Sequence, residues 1–199
     1  MKFSGAPRQN ILPFRSKSRA ESIPDDHAII RACLEGDRQA FETIVERYRD
    51  KVYWTAYNLV LDSEDARDVS QQSFLKIWKS LGEYDFERSF AGWVSRIAAN
   101  CAIDFLRTRR EADPIPEELP AKSSGFEQDL DVRKIFLRVA PLLSQRQRIV
   151  LVLREIHGME IAEISDLLQC TESTVRNLLS QAKDSFRRKA KELFPDYGL

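Results

Sequence analysis

DSEDARDVSQQSFLKIWKS, residues 62–80, and SFAGWVSRIAANCAIDFLRTRR, residues 89–110, each carry apolar or small residues at helical spacing. In the first stretch Ala66, Val69, Ser73 and Ile77 share one stripe, which leaves Glu64, Asp65, Asp68, Gln71 and Gln72 facing outward. In the second, Phe90, Trp93, Val94, Ile97, Cys101 and Phe105 form the buried stripe. Arg96, Asn100 and Arg107 line another face of that helix, running into Arg109 and Arg110. An acidic, amide-rich face suits a protein partner, whereas arginine and asparagine along one face suit phosphates and base edges. Two adjacent helices thus predict two different partners.

Toward the N-terminus the helical pattern continues. Ile29, Ile30, Cys33 and Leu34 make a short helix after Asp26, Gly36 breaks it, and Asp37 stands as the N-cap of a long helix. That helix carries Phe41, Ile44, Val45, Tyr48, Val52, Ala56 and Leu59 on its apolar side. Asp62 caps the next, and the acids after it complement the positive end of the helix dipole. Residues 26–110 therefore read as one compact helical domain. Residues 1–25, with Pro7, Pro13, Pro24 and scattered bases but no period, read as a flexible basic tail.

Residues 111–131 change character. Pro114, Pro116, Pro120 and Ser123–Gly125 predict an extended chain, and its acids Glu111, Asp113, Glu117, Glu118, Glu127, Asp129 and Asp131 face one base, Lys122. Helical spacing resumes with Leu130, Ile135, Val139 and Leu142, then Ile149, Val150, Val152, Leu153 and Ile156, so residues 132–199 read as a second helical domain. No period-two pattern occurs, and the fold class is all-α: two small helical domains joined by a flexible acidic linker.

Within the second domain Ile161, Ile164, Leu167 and Leu168 form a short helix, Gln169–Thr171 a tight turn, and residues 172–193 a longer helix. This is the outline of a helix-turn-helix. Glu172, Ser173, Thr174, Arg176 and Asn177 would enter a major groove, Lys183, Arg187 and Arg188 would reach the backbone, and Leu178, Leu179, Ala182 and Phe186 would face the core. The turn lacks its usual glycine, and pattern alone fits a structural helical hairpin equally well.

Composition narrows the function classes. The 199 residues hold 31 bases and 31 acids. Non-specific DNA affinity is mostly phosphate neutralisation, so a neutral chain holds DNA weakly by itself and a larger assembly supplies the rest. No apolar run approaches the roughly 20 residues that span a bilayer and no secretory core opens the chain, so a cytoplasmic protein without membrane insertion is expected. Cys33, Cys101 and Cys170 sit singly in helical patterns and read as reduced packing residues. His27 and His157 lack clustered ligands, so no metal is expected. Without a glycine-rich phosphate loop or a nucleophile with its base, neither an enzyme, a cofactor nor a small-molecule substrate is indicated.

Four stretches in order, Gly36–Tyr53, Asp62–Trp78, Ser89–Arg107 and Leu143–Lys183, resemble bacterial RNA polymerase sigma factors of the extracytoplasmic-function (ECF) type. The resemblance covers residues 26–193. It implies that residues 26–110 are sigma domain 2, docking on the clamp helices of the largest polymerase subunit through Asp65, Asp68, Gln71, Gln72 and Phe74. It further implies that Tyr84, Phe86, Ser89, Arg96, Asn100, Arg107, Arg109 and Arg110 read and melt the −10 element. Residues 132–199 would be sigma domain 4, reading the −35 element with Glu172, Ser173, Thr174, Arg176, Asn177, Lys183 and Arg187, its apolar side on the polymerase flap. The linker resembles the segment that threads the polymerase channel, and an anti-sigma factor is the regulator implied. The chain departs from the family at Leu178 and Gln181, where arginines are common, and at Gln169, where glycine is, which weakens the expected phosphate anchoring. A self-sufficient helix-turn-helix regulator, which needs dimer symmetry and its own DNA affinity, is the main rival. A sigma-like chain that has lost promoter contacts and serves as an interaction partner is another.

Overall fold

The structure, a computed structural model, describes residues 25–112 and 130–195, and the side chains of residues 110–112 and 130–133 are not among those described. The expected basic tail and most of the expected linker lie outside the described residues.

Each helix of the first bundle starts where a side chain meets orphan N–H groups. Helix α1 (Asp26–Leu34) begins at Asp25, whose carboxylate accepts from the His27 N–H at 3.3 Å. Gly36, at φ 103°, turns the chain into α2 (Arg38–Val60), where Asp37 accepts from the N–H groups of Gln39 and Ala40 at 2.8 and 3.3 Å. Helix α2 ends at Leu61 in the left-handed conformation, and Asp62 accepts from the N–H groups of Glu64 and Asp65 to start α3 (Ser63–Ser80). A short 3-10 turn, Leu81–Glu83, and a loop lead to α4 (Phe90–Ala112). Ile30, Ile44, Val52, Leu59, Val69, Ile77 and Val94 are fully buried where these four helices meet. Truncating any one of the larger of them to Ala would cost about 2–5 kcal/mol.

The second bundle holds α5 (Leu130–Val139), a 3-10 turn Ala140–Leu142, α6 (Gln145–Leu151), α7 (Ile161–Leu168) and α8 (Glu172–Leu193). A capping box between Ser144 and Gln147 starts α6, which runs into a π-helical turn, Val152–Ile156. Val139, Val150, Val152, Leu153, Ile164, Val175 and Ala182 have no exposed surface, and Phe136 stacks on Phe186 with centroids 6.2 Å apart. Extensive helix–helix packing runs within each bundle: α2, α3 and α4 in the first, α6, α7 and α8 in the second. No strand occurs among the described residues. The all-α, two-bundle expectation holds, with two local differences. Leu34 is 49% exposed because Ile29, Ile30 and Cys33 already fill the side of α1 that meets α2. Leu142 is 48% exposed because Pro141 places it in a 3-10 turn, off the α5 period.

Candidate polymerase and nucleic-acid interface

Helix α3 presents its acids as the periodicity requires. Ala66, Val69, Ser73 and Ile77 are wholly buried, so Glu64, Asp68, Gln71 and Gln72 point to solvent. The exposed side continues past the acids into Leu75 and Trp78, 61% and 40% exposed, with Trp78 edge-on to Phe41 at 4.7 Å. These two apolar residues escaped the sequence reading because they belong to the polar side of the period. Phe74 is half-buried against the core. Asp65 differs from its neighbours: it is paired with Arg109 of α4, and burial pushes its carboxyl above the usual carboxylate range against the pull of that arginine. Asp65 thus ties the acidic face to the arginine face.

The loop before α4 is an aromatic cluster. Tyr84 is 5% exposed, its ring 5.1–5.5 Å from Phe90, Phe86 and Trp93, and its hydroxyl donates to the Arg88 carbonyl at 2.5 Å. The face that would stack on a base is therefore covered by protein. Phe86 is half-buried, edge-on to His27 at 5.3 Å, with the Arg31 guanidinium 5.5 Å over its ring. Trp93 stacks on Phe90, and the Ser89 hydroxyl accepts from the Gly92 N–H at 3.3 Å, at the start of α4.

The arginines of α4 are engaged within the chain. Arg107 pairs with Asp104 at 3.5 Å and donates to the Leu167 carbonyl at 3.2 Å, Arg96 faces Glu163 at 3.6 Å, and Arg109 holds Asp65. Asn100 lies half-buried on the same helix, and the Arg110 side chain is outside those described.

In the C-terminal bundle, α7, a turn at Gln169 and α8 form the expected helix-turn-helix. A capping box of Glu160 and Glu163 starts α7, and the Thr171 hydroxyl accepts from the Thr174 N–H at 3.2 Å to start α8. Gln169 takes the left-handed turn, φ 52°, that glycine usually fills. Ser173, Arg176 and Asn177 are exposed, Thr174 is half-buried, and Arg176 rests on Glu172 at 2.5 Å. Lys183 is held by Glu155 at 2.7 Å and Arg187 lies 3.7 Å from Asp184. Sequence reading missed Val175, the buried pin at the start of α8, and Arg148, 7% exposed, whose Nε donates to the Leu59 carbonyl at 3.1 Å. Val175 sits between candidate base readers, and a buried arginine has no periodic signature. Between the bundles lies a cavity of about 410 Å³, lined among others by Leu106, Arg107, Gln145, Leu168, Cys170 and Thr174.

Two helical bundles, one with adjacent acidic and arginine helices and one with a helix-turn-helix, match known families in the same order. Residues 44–112 match Sigma-70 region 2, and residues 133–185 match Sigma-70, region 4. The chain belongs to the sigma-70 family, as a sigma factor of the ECF type that directs promoter-specific transcription initiation. It is similar to the RNA polymerase sigma-H factor of Pseudomonas aeruginosa, 27% identical over 84% of this chain and 95% of that one. It is also similar to the ECF RNA polymerase sigma factor SigW of Bacillus subtilis, 24% identical over 82% and 96%. The ECF RNA polymerase sigma-E factor of Escherichia coli is 26% identical over 84% and 95%. Two solved structures share the fold: CnrH in complex with the cytosolic domain of CnrY, TM-score 0.55, 23% identical, covering 84% of this chain and 97% of that one. The other is the sigma factor RpoE in complex with the anti-sigma factor NepR from Bartonella quintana, TM-score 0.59, 19% identical, covering 79% and 98%.

Proposed function

We propose that the two bundles divide the work of initiation. The exposed side of α3, from Glu64 and Asp68 through Gln71 and Gln72 to Leu75 and Trp78, docks on the clamp helices of the polymerase largest subunit. Acids at one end and apolar side chains at the other give orientation as well as area. On the neighbouring helix α4, Arg96, Asn100, Arg107, Arg109 and Arg110 meet the −10 element, while Phe86, held by His27 and Arg31, offers a ring to an extruded base. Tyr84 supports that loop from beneath, and Ser89 fixes the start of α4. The start of α8, with Glu172, Ser173, Thr174, Arg176 and Asn177, reads the −35 element, and Lys183 and Arg187 reach its backbone. The single observation that carries this reading is the juxtaposition on one small bundle of an acidic, uncovered helix face and an arginine-lined helix.

Strand opening then draws on binding alone. Extruding a base costs a few kcal/mol, which contacts from the loop and α4 offset without nucleotide hydrolysis, so the chain acts as a factor and not as an enzyme. Its workplace is the cytoplasm, where core polymerase is; no helix among the described residues is long and apolar enough to cross a membrane. A proteinaceous anti-sigma partner, of the kind seated on the solved RpoE neighbour, is the regulator that fits. The deciding experiment is run-off transcription with core polymerase on candidate promoters. Promoter-specific product and core binding support the reading; loss of both, with folded protein, removes it.

A further inference from the structure

We propose that the cavity between the bundles is a binding site for an amphipathic organic anion, a medium-chain carboxylate that carries a hydroxyl beside its head. The volume of about 410 Å³ falls within the range of small-molecule sites, about 300–1,000 Å³. The walls sort by polarity. Ile103 and Leu106 of α4 and Ile149 of α6 are buried, and half-buried Leu168 and Leu178 come in from α7 and α8, so four helices supply an apolar body. The charged lining is of one sign: Arg107 and Arg146 are both exposed, and no carboxylate is among the described residues that line the cavity. Such a site draws a hydrocarbon chain inward and leaves the anionic head near solvent, where its desolvation costs little.

Of the two guanidinium groups, Arg107 is partly committed, since it pairs with Asp104 at 3.5 Å and donates to the Leu167 carbonyl at 3.2 Å. Arg146 makes no ion pair among the described residues, and its planar fork fits a carboxylate. The residue beside it specifies the ligand further. Gln145 also lines the cavity, and its Oε1 is buried with no hydrogen-bond partner among the described residues. A buried acceptor left without a donor is costly, so a ligand that brings one gains more than an ordinary hydrogen bond. Gln145 and Arg146 are adjacent in the chain, and a 3-hydroxy acid carries the matching donor and anion together. Arg107 and Thr174, which also line the cavity, are among the residues proposed to meet promoter DNA, so an occupant here adds a small-molecule input to the proposed function.

Calorimetric titration of the full-length protein with 3-hydroxydecanoate, decanoate and decyltrimethylammonium, each below its micelle-forming concentration, tests the site. 3-Hydroxydecanoate should bind saturably, decanoate about tenfold more weakly for want of the hydrogen bond, and the cation not at all. R146M should weaken both acids about tenfold, and Q145L should bind the two acids alike. Arg146 is exposed, so R146M leaves the core intact, and circular dichroism melts check the fold of both variants. The chain's own cysteines report where the ligand sits. Saturating 3-hydroxydecanoate should slow N-ethylmaleimide labelling of Cys170, half-buried on the cavity wall, several-fold, while Cys33 and Cys101, buried in the first bundle, stay protected. Absence of saturable binding overturns the proposal and leaves the cavity to water. Binding that neither R146M nor Cys170 labelling registers overturns it too, as does ligand-induced labelling of Cys33 and Cys101, the mark of a surfactant unfolding the chain. Equal affinity of the parent for the two acids, or a preference that survives Q145L, refutes the hydroxyl assignment. Neither measurement contains DNA or polymerase, so the site stands or falls apart from the proposed function, which run-off transcription tests.

Discussion

Replacing Tyr84 distinguishes a supporting ring from a base-contacting one. The phenol is 5% exposed, within 5.1–5.5 Å of the Phe90, Phe86 and Trp93 rings, and its hydroxyl donates to the Arg88 carbonyl. Tyr84→Phe removes one hydrogen bond and leaves the Arg88 carbonyl short of a donor, a loss of about 1 kcal/mol. Tyr84→Ala empties the centre of the cluster, a loss of about 3–5 kcal/mol. For a chain of this size each kcal/mol lowers the melting midpoint by about 2–4 °C, so the two variants should melt about 3 °C and roughly 10 °C below the parent. Circular dichroism melts measure this, and permanganate footprinting on a promoter with core polymerase measures strand opening. Opening should be nearly normal in Tyr84→Phe below its midpoint, whereas Phe86→Ala should lose opening with a smaller drop in midpoint. The reasoning is refuted if Tyr84→Ala melts within a degree of the parent and still abolishes opening, because the ring would then be acting on DNA.

Four further outcomes follow from the geometry. Asp68→Lys, on the fully exposed side of α3, should weaken core polymerase binding about tenfold with an unchanged melting midpoint, whereas Asp65→Lys, set beside Arg109, should lower both; pull-down and thermal melts separate them. Arg176→Ala should relax preference at a single −35 position by about 1–3 kcal/mol in a competition series, leaving core binding intact. Gln169→Gly relieves the left-handed turn, φ 52°, and should raise the midpoint by about 1–3 °C, while Leu61→Gly at φ 62° should lower it because Leu61 is only 9% exposed. His157 is held down to about 4, by burial first and then by Lys51, with its Nε2 buried and unpartnered. It stays neutral when folded and protonates near 6.5 when unfolded, so its contribution to stability is complete above about 6.5 and is lost as pH falls toward 4. Urea titrations at pH 7 and pH 5 should show that slope, and His157→Phe should flatten it.

Helix starts and the apolar stripe of α3 were legible in the sequence because each leaves a local mark, an Asp before the first turn and recurrence at three and four residues, whereas the α7–turn–α8 pattern fits a structural hairpin equally well and only the family resemblance singles out a helix-turn-helix. Ala66, Val69, Ser73 and Ile77 are buried as their spacing requires. What the spacing could not reveal is contact between segments far apart in the chain. Arg148 looks like any surface base in α6 until Leu59, 89 residues earlier, supplies its acceptor. Asp65 looks like Asp68 until Arg109 closes over it, and Tyr84 looks like an available aromatic until Phe90 and Trp93 enclose it. Leu75 and Trp78 failed the opposite way: a period sorts residues into inside and outside, and it gives no reason for leucine and tryptophan to be outside.

The pairing of the α4 arginines has an ionic consequence. Arg96, Arg107 and Arg109 already sit beside Glu163, Asp104 and Asp65, so a phosphate that takes one of them displaces a resident anion. Each displaced carboxylate gathers cations from solution as the phosphate sheds its own. The unassisted protein's affinity for DNA should accordingly decline less steeply with sodium chloride than the number of basic side chains in contact would dictate.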